Sequence, residues 1–235
     1  GSPAEAGLPP PGAADGAAAA PHPLDGADLK GALLHFVRSG RVWLMCVSLM
    51  CTTVLMEVIG FLPLYLKETL GVPPAQAAAA SSVFPAGCFA ALLLGGWVYD
   101  RVPRGGRAAL LGGLLALATA CLGALLWLGR AGLSPAAAFW ATAGLLFVYG
   151  LSVAPSYYLP MSVFSIEHGG RHCGVLIGLI DAAGYAAAML YQFGGGALVD
   201  APGGWTNMLL LLLGVSLAAG ASTVWFARAD AAAAG

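Results

Sequence analysis

Two acidic residues lie deep within long apolar stretches of the sequence, Glu57 in one and Asp181 in another. If the stretches are helical, the carboxyls lie ~5 Å and ~8 Å along the helix from its middle. A charge inside a bilayer costs at least about 2.5–3.5 kcal/mol, so such residues normally face a polar cavity or a partner. We predict that both line a substrate or proton pathway. The alternative is a protonated acid that hydrogen-bonds to a neighbouring helix.

Asp181 belongs to a polar stripe. At 100° per residue, one helix face carries Gly174, Gly178, Asp181, Tyr185 and Gln192. The three polar residues are predicted to face a substrate path, with the glycines packing closely against a neighbour. The alternative is a glycine packing seam with incidental polar residues.

Tyr149 and Ser152 form a weaker polar stripe in another apolar stretch. They are further candidates for the pathway, although a serine in a membrane helix often bonds its own backbone. Ser152 follows Gly150-Leu151 and faintly suggests the nucleophile of an intramembrane protease. Because no apolar stretch contains a histidine to serve as the base, an enzyme is not predicted.

The elements that must position these residues are membrane helices. The chain has 235 residues, of which 59% are hydrophobic and 9% charged, whereas soluble domains have about 25% charged residues. Each of six apolar segments reaches the ~20 residues that cross a bilayer as a helix. The segments are residues 42–66, 75–99, 108–129, 135–160, 173–199 and 203–227. The sequence therefore predicts an all-α polytopic membrane protein with six transmembrane helices.

Composition excludes other classes of site. The net charge of −1 gives no basis for nucleic-acid binding. The five cysteines form no C-x-x-C pair, so no metal site or cofactor is predicted. The domain prediction is a disordered Ala/Pro/Gly-rich linker (1–28), an interfacial amphipathic helix (29–40), the transmembrane bundle (41–228) and a C-terminal tail (229–235).

The distribution of basic residues predicts the orientation. With six spans, eight basic residues fall on one side and two on the other. The eight are Lys30, Arg38, Arg41, Arg101, Arg104, Arg107, Arg171 and Arg228, and the two are Lys67 and Arg130. Because cytoplasmic loops carry the excess of Lys and Arg, both termini and the loop at Asp100 are predicted to be cytoplasmic.

This loop resembles a family signature. Residues 96–107 read GWVYDRVPRGGR, which is similar to the Gly-x-x-x-Asp-Arg-x-Gly-Arg-Arg/Lys loop of the major facilitator superfamily. Pro103 stands where the family usually has glycine. The resemblance implies a conformational latch on the cytoplasmic side that involves Gly96, Asp100, Arg101 and Arg104. The alternative is that the arginines only set the topology. We expect Gly95 and Gly96 to allow close helix packing and Asp100 to accept hydrogen bonds from the start of the helix near Cys173.

The resemblance also implies an incomplete transporter. Six spans with a cytoplasmic leader look like the C-terminal half of a twelve-span facilitator, which moves a small solute through the bilayer by alternating access. The chain would then need an N-terminal six-helix half or a second copy. The alternatives are a non-transporting structural or regulatory membrane protein derived from a transporter and, less favoured, an intramembrane enzyme.

Two segments narrow the resemblance to the organophosphate:phosphate antiporters. These are residues 61–68, FLPLYLKE, and the glycine-rich pattern of residues 174–185. The implied cargo is a small polar or anionic solute, including an organophosphate or sugar phosphate. The sequence departs from this group in its first helix, where Glu57 is present and residues 42–66 contain no Lys or Arg.

Overall fold

The computed structural model describes residues 22, 24 and 26–233, and the regular secondary structure of these residues is helical throughout. The α-helices are α1 (Leu29–Arg38), α2 (Gly40–Met56), α3 (Leu62–Leu70), α4 (Pro74–Ser81), α5 (Val83–Arg101), α6 (Arg104–Leu128), α7 (Pro135–Gly169), α8 (Cys173–Asp200) and α9 (Gly204–Ala233). Two 3-10 turns occupy Glu57–Gly60 and Gly170–His172. Most of the predicted linker (1–28) and the last two residues of the tail lie outside the described residues.

Five helical stretches are long and apolar enough to cross a membrane: Gly40–Gly60, Pro74–Arg101, Arg104–Leu128, Pro135–Asp200 and Gly204–Ala233. The sequence predicted six segments, and the count differs because the fourth stretch runs through both α7 and α8. The chain leaves the helical conformation between them at Gly170, whose φ is +49°, a value that L side chains rarely adopt. The protein is therefore an integral, multi-pass membrane protein.

The first apolar stretch is interrupted near its middle. Helix α2 ends at Met56, a 3-10 turn follows over Glu57–Gly60, and α3 begins at Leu62. Pro63 has no N–H to donate to the carbonyl of Ile59, and Gly60 weakens a helix by about 1 kcal/mol relative to alanine. These two residues place Glu57 at a break in the helix.

Helix α7 is the longest of the described helices and extends past the predicted segment 135–160. It contains Pro155 and Pro160 and continues to Gly169. Helix α5 packs against it at two reciprocal glycines. A Cβ on Gly87 would overlap the carbonyl oxygen of Phe147, and a Cβ on Gly150 would overlap that of Phe84. The two backbones therefore touch at a point that only glycine permits.

Hydroxyl groups connect helices elsewhere in the bundle. Helix α2 packs against α8 and α9, and α6 packs against α9. The hydroxyls of Ser48 and Thr223 lie 2.6 Å apart between α2 and α9, and those of Thr119 and Ser216 lie 2.8 Å apart between α6 and α9. Such interhelical bonds contribute about 0.6 kcal/mol each in membrane proteins. They fix α9 against both neighbours.

Side-chain contacts define the two ends of the bundle. Arg104 pairs with Glu167 at 2.7 Å, and Arg41 lies 3.7 Å from Asp230. These contacts join the start of α2, the start of α6, and the ends of α7 and α9 at what we call the basic end. At the opposite end, Trp205 donates a hydrogen bond of 2.9 Å to the Glu68 carboxylate.

The glycine contact between α5 and α7 predicts that alanine destabilises the protein at these two glycines but not at a glycine in open space. We expect Gly87→Ala and Gly150→Ala each to lower the free energy of unfolding by about 1–3 kcal/mol, because the added methyl group forces the helices apart. Thermal unfolding in detergent measures the effect. Gly113→Ala in α6 is the matched control, since a Cβ there meets nothing within 4 Å. Equal loss of stability in all three variants would contradict the prediction.

Candidate functional site

The break in the first apolar stretch brings together two of the predicted pathway residues. Gln192 of α8 donates from Nε2 to the Glu57 carboxylate at 2.8 Å and lies 3.3 Å from the Glu57 backbone carbonyl oxygen. Glu57 is half-buried, whereas Gln192 is exposed on the bundle surface. The pair therefore joins a titratable group on the broken helix to a neutral hydrogen-bonding group on α8.

Tyr149 reaches the same break from α7. Its side chain is only 1% exposed, and its hydroxyl donates to the Leu55 carbonyl at 3.0 Å. Its ring packs 5.7 Å from that of Phe84. Tyr149 thus holds α7 against the end of α2 and is buried away from the surface that carries Gln192.

Tyr191 also lies at this break, and the sequence analysis did not select it. Its ring makes an edge contact with Phe61, with centroids 5.5 Å apart, and its hydroxyl is buried without a hydrogen-bond partner among the described residues. It is close enough to Glu57 for an electrostatic interaction. The sequence signal that could have identified Tyr191 is its position directly before Gln192 in an apolar segment.

Asp181 and Tyr185 lie closer to the basic end on α8. Tyr157 of α7 interacts electrostatically with both, which places these three side chains in one neighbourhood. Asp181 is half-buried, while Tyr185 is 61% exposed. We call the surface formed by Glu57, Asp181, Tyr185 and Gln192 the α2–α8 face. Its polar groups on α8 span 11 residues, or ~16 Å of helix.

The glycines of the predicted stripe do not pack. A Cβ on Gly174 or Gly178 would meet nothing within 4 Å, so the expectation of close packing there was wrong. Close approaches on α8 occur instead at Gly195, where a Cβ would lie 2.8 Å from the Phe61 ring, and at Gly184, where it would lie 2.8 Å from the hydroxyl oxygen of Thr53. Gly184 lies on a different side of α8, and its partners Thr53 and Leu49 both lie on α2.

Ser152 is fully buried, and its hydroxyl donates to the backbone carbonyl of Val148 at 2.7 Å. This is the local backbone bond that a serine commonly makes in a membrane helix. The hydroxyl is one helical turn from its acceptor and points into the bundle. Its role in a pathway remains a prediction.

The basic end contains an ion pair of which the sequence analysis selected only the arginine. Arg104 was a predicted latch residue, and its partner is Glu167 of α7, with the Nη2–Oε1 distance 2.7 Å. Asp230 lies near enough to Arg41, Arg104, Arg107 and Glu167 to interact with all four electrostatically. Glu167 and Asp230 could not be paired with these arginines from sequence because they lie 60 or more residues away.

Among the described residues, no hydrogen bond or ion pair joins Asp100 or Arg101, the other polar residues of the predicted latch, to another helix. Arg101 lies over the ring of Trp97 at 3.8 Å and donates to the Trp97 carbonyl, both within α5. Asp100 is exposed, and among the described residues no hydrogen bond joins it to the start of α8. The expected helix packing at this pair of glycines was wrong for Gly96, where a Cβ would meet nothing within 4 Å, whereas a Cβ on Gly95 would lie 3.7 Å from Pro155 of α7.

The described residues contain no group of three or more His, Cys, Asp or Glu side chains placed to hold a metal ion. The polar groups of the α2–α8 face are carboxylates, an amide and a phenol. Such groups bind and release protons or hydrogen-bond to a polar solute. The protein is therefore a helical membrane protein with a polar surface within its apolar segments. Solute carriers have polar surfaces of this kind.

Comparison with known families agrees with this class. A model of the Major Facilitator Superfamily matches residues 3–190, and the chain belongs to that superfamily. Membership implies a transporter of small solutes, a family activity that is generally not enzymatic. Neither the curated proteins nor the solved structures gave a match.

The hydrogen bond from Tyr149 to Leu55 predicts a measurable contribution to stability. We expect Tyr149→Phe to lower the free energy of unfolding by about 1–3 kcal/mol, because the buried carbonyl loses its side-chain donor. Thermal unfolding in detergent provides the comparison. Tyr158→Phe is the control, since that side chain is exposed and its hydroxyl bonds no described residue. A Tyr149→Phe protein as stable as the control would contradict this role.

Proposed function

We propose that the chain is the C-terminal half of a facilitator that moves a small polar or anionic solute by alternating access. In this proposal it crosses the membrane six times, through α2–α3, α4–α5, α6, α7, α8 and α9. The observation that carries the proposal is the α2–α8 face, where Glu57 and Gln192 form a hydrogen-bonded polar pair within apolar segments and Gln192 is exposed.

The exposure of this face supports the need for a second six-helix unit. Gln192 and Tyr185 would contact lipid if the bundle stood alone, and a charged Glu57 beside lipid would cost about 2.5–3.5 kcal/mol or more. A second unit packed against the face would enclose these groups around an aqueous cavity. The missing N-terminal half or a second copy of this chain is the proposed occupant.

The distribution of charge supports the orientation. The basic end includes the starts of α2 and α6 and the end of α7, and it carries the arginines of both ion pairs. Toward the Trp205 end lie Lys67, in the last turn of α3, and Arg130, which follows α6. By the positive-inside rule, we propose that the basic end, the Asp100 loop and both termini are cytoplasmic.

Glu57 is the proposed coupling group. When it is ionised, its carboxylate accepts a charge-assisted hydrogen bond from Gln192, and protonation removes the charge and weakens that bond. Because Glu57 lies at a helix break, release of Gln192 would allow α3 to move relative to α2. Asp181, with Tyr157 and Tyr185 nearby, is a second candidate closer to the basic end.

The identity of the solute depends on the second unit. Residues 42–66 of the first span contain no Lys or Arg, and Glu57 would repel a phosphate dianion when ionised. An organophosphate or sugar phosphate, as the antiporter resemblance implies, therefore requires the positive charge to come from the other half. Tyr149 and Ser152 support the site as positioning residues, because both are buried between helices.

The ion pair between Arg104 and Glu167 is the proposed latch. It joins the start of α6 to the end of α7, so it must break or lengthen if these helix ends separate during opening. Asp100 and Arg101 are proposed to engage the second unit, since Asp100 is exposed and makes no ion pair with the described residues.

Solute uptake tests the coupling role of Glu57. In proteoliposomes with the full-length transporter, we expect Glu57→Gln to reduce pH-driven accumulation by about tenfold or more, because a group that cannot ionise cannot couple proton movement. Asp181→Asn tests the second candidate in the same assay. Glu68→Gln, at the Trp205 end, is the matched control and is expected to retain the pH dependence.

Unchanged pH dependence in both Glu57→Gln and Asp181→Asn would contradict proton coupling by these residues.

The chain alone is expected to catalyse no uptake, since the second six-helix unit that would enclose the solute cavity is absent. Transport by a demonstrated monomer of this chain would overturn the half-transporter proposal. A full-length protein that binds and moves no solute in any class would favour the non-transporting alternative.

The latch makes a separate prediction at the basic end. Cys173 is half-buried at the start of α8 and serves as a native reporter of opening. We expect Glu167→Gln to raise its rate of labelling by a water-soluble maleimide about two- to fivefold, because an exposed ion pair contributes about 0.2–1 kcal/mol. Glu68→Gln should leave the rate unchanged. A labelling rate that Glu167→Gln does not alter would exclude the latch.

A further inference from the structure

A cavity of about 440 Å³ lies at the basic end, apart from the α2–α8 face. It forms where α1 ends, α2 begins, and α7 and α9 end. Its arginine and histidine side chains come from the segment before α1 and from α1, α2 and α7. They are His22, His35, Arg38, Arg41 and His168. We call it the leader pocket, because the residues before α2 form one of its walls.

The leader pocket is built by specific contacts. The ring of His168 stacks on Phe164 with centroids 4.9 Å apart and lies 5.5 Å from the ring of His35. The Nε2 atom of His168 is buried without a hydrogen-bond partner among the described residues. His22 lies 3.2 Å from the backbone carbonyl oxygen of Glu167, which holds the leader against the end of α7.

The charge of the pocket favours an anion. Two carboxylates line it, Glu167 and Asp230, and each has an arginine partner, Arg104 for Glu167 and Arg41 for Asp230. Arg38 has no carboxylate partner among the described residues and lines the same cavity. The pocket therefore holds an unneutralised guanidinium beside three imidazoles.

The start of α2 adds further donors. Ser39, its N-cap residue, lines the cavity and makes no side-chain capping bond. Arg41 in the first turn also lines the cavity, and a helix N-terminus carries a partial positive charge. An anion in the pocket would lie beside this helix end and Arg38.

The outer surface of α1 indicates where the anion comes from. Large apolar side chains on α1 are 43–60% exposed, namely Leu29, Leu33, Leu34 and Val37. Trp43 is also exposed and donates from its indole to the Val37 carbonyl at 2.8 Å. Such a helix lies in the membrane interface with its apolar side chains among the acyl chains. The adjoining pocket is then at the depth of lipid headgroups.

We propose that the leader pocket binds the phosphate group of an anionic phospholipid, with Arg38 and the imidazoles of His35 and His168 as its principal contacts. The acyl chains would lie along the exposed apolar side of α1. Basic pockets between membrane helices on the cytoplasmic side bind lipid headgroups in this way. Lipid binding would fix the leader and α1 against the ends of α7 and α9.

Lipid binding to the purified full chain tests the proposal. Native mass spectrometry compares phosphatidic acid with phosphatidylcholine, and we expect phosphatidic acid to bind more tightly. Arg38→Gln should weaken phosphatidic acid binding about fivefold, since one basic residue near an anionic surface contributes ~1 kcal/mol. His35→Gln is the second variant, and Arg130→Gln, a basic residue beyond α6 at the Trp205 end, is the matched control. Thermal unfolding verifies that each variant is folded.

Selective loss of phosphatidic acid binding in Arg38→Gln and His35→Gln would support the site. Equal affinity for the two lipids, or an equal loss in Arg130→Gln, would overturn it. Inorganic phosphate distinguishes the source of the anion. Displacement of phosphatidic acid by the same concentration of inorganic phosphate would assign the pocket to a soluble phosphate and overturn the lipid proposal.

Discussion

The structure depends on the hydrogen bonds that other helices make to the backbone at a break in its first membrane helix. Pro63 and Gly60 interrupt the backbone hydrogen bonding between α2 and α3, and unpaired carbonyls are costly in a bilayer. Donors from two other helices converge on the break: the Tyr149 hydroxyl from α7 and the Gln192 amide from α8. The same amide binds the Glu57 carboxylate. A local backbone defect thus links three helices to one titratable group.

Direct contacts between helices hold the rest of the bundle together. Reciprocal glycines bring α5 and α7 into backbone contact, and hydroxyl pairs hold α9 to α2 and α6. The break, in contrast, opens on the α2–α8 face, where polar groups reach the surface. The chain belongs to a superfamily of small-solute transporters, and polar side chains within apolar helices are typical of proteins that carry polar solutes. The ion pairs of the basic end lie apart from this face.

The sequence predicted the helical membrane class and the superfamily, because hydropathy and the loop motif are local signals. It could not pair Glu57 with Gln192 or Arg104 with Glu167, because these contacts depend on the order in which helices pack. Glycine was the least informative residue. Gly174, Gly178 and Gly96 resembled packing sites but face open space, whereas close contacts between helices occur at other glycines, among them Gly87, Gly150 and Gly184. A helix face read from spacing does not reveal which neighbour lies against it.

Water accessibility of the α2–α8 face in the full-length protein tests the central claim most directly. Cysteines are introduced singly as Gln192→Cys, Tyr185→Cys and, on α9, Leu217→Cys, in a background in which the five native cysteines are replaced. The variants are then treated in membranes with a water-soluble maleimide. The account predicts labelling at residues 185 and 192 that solute suppresses, and none at residue 217, whose exposed side chain would face lipid. Absence of labelling at both residues 185 and 192 would contradict a polar pathway on this face.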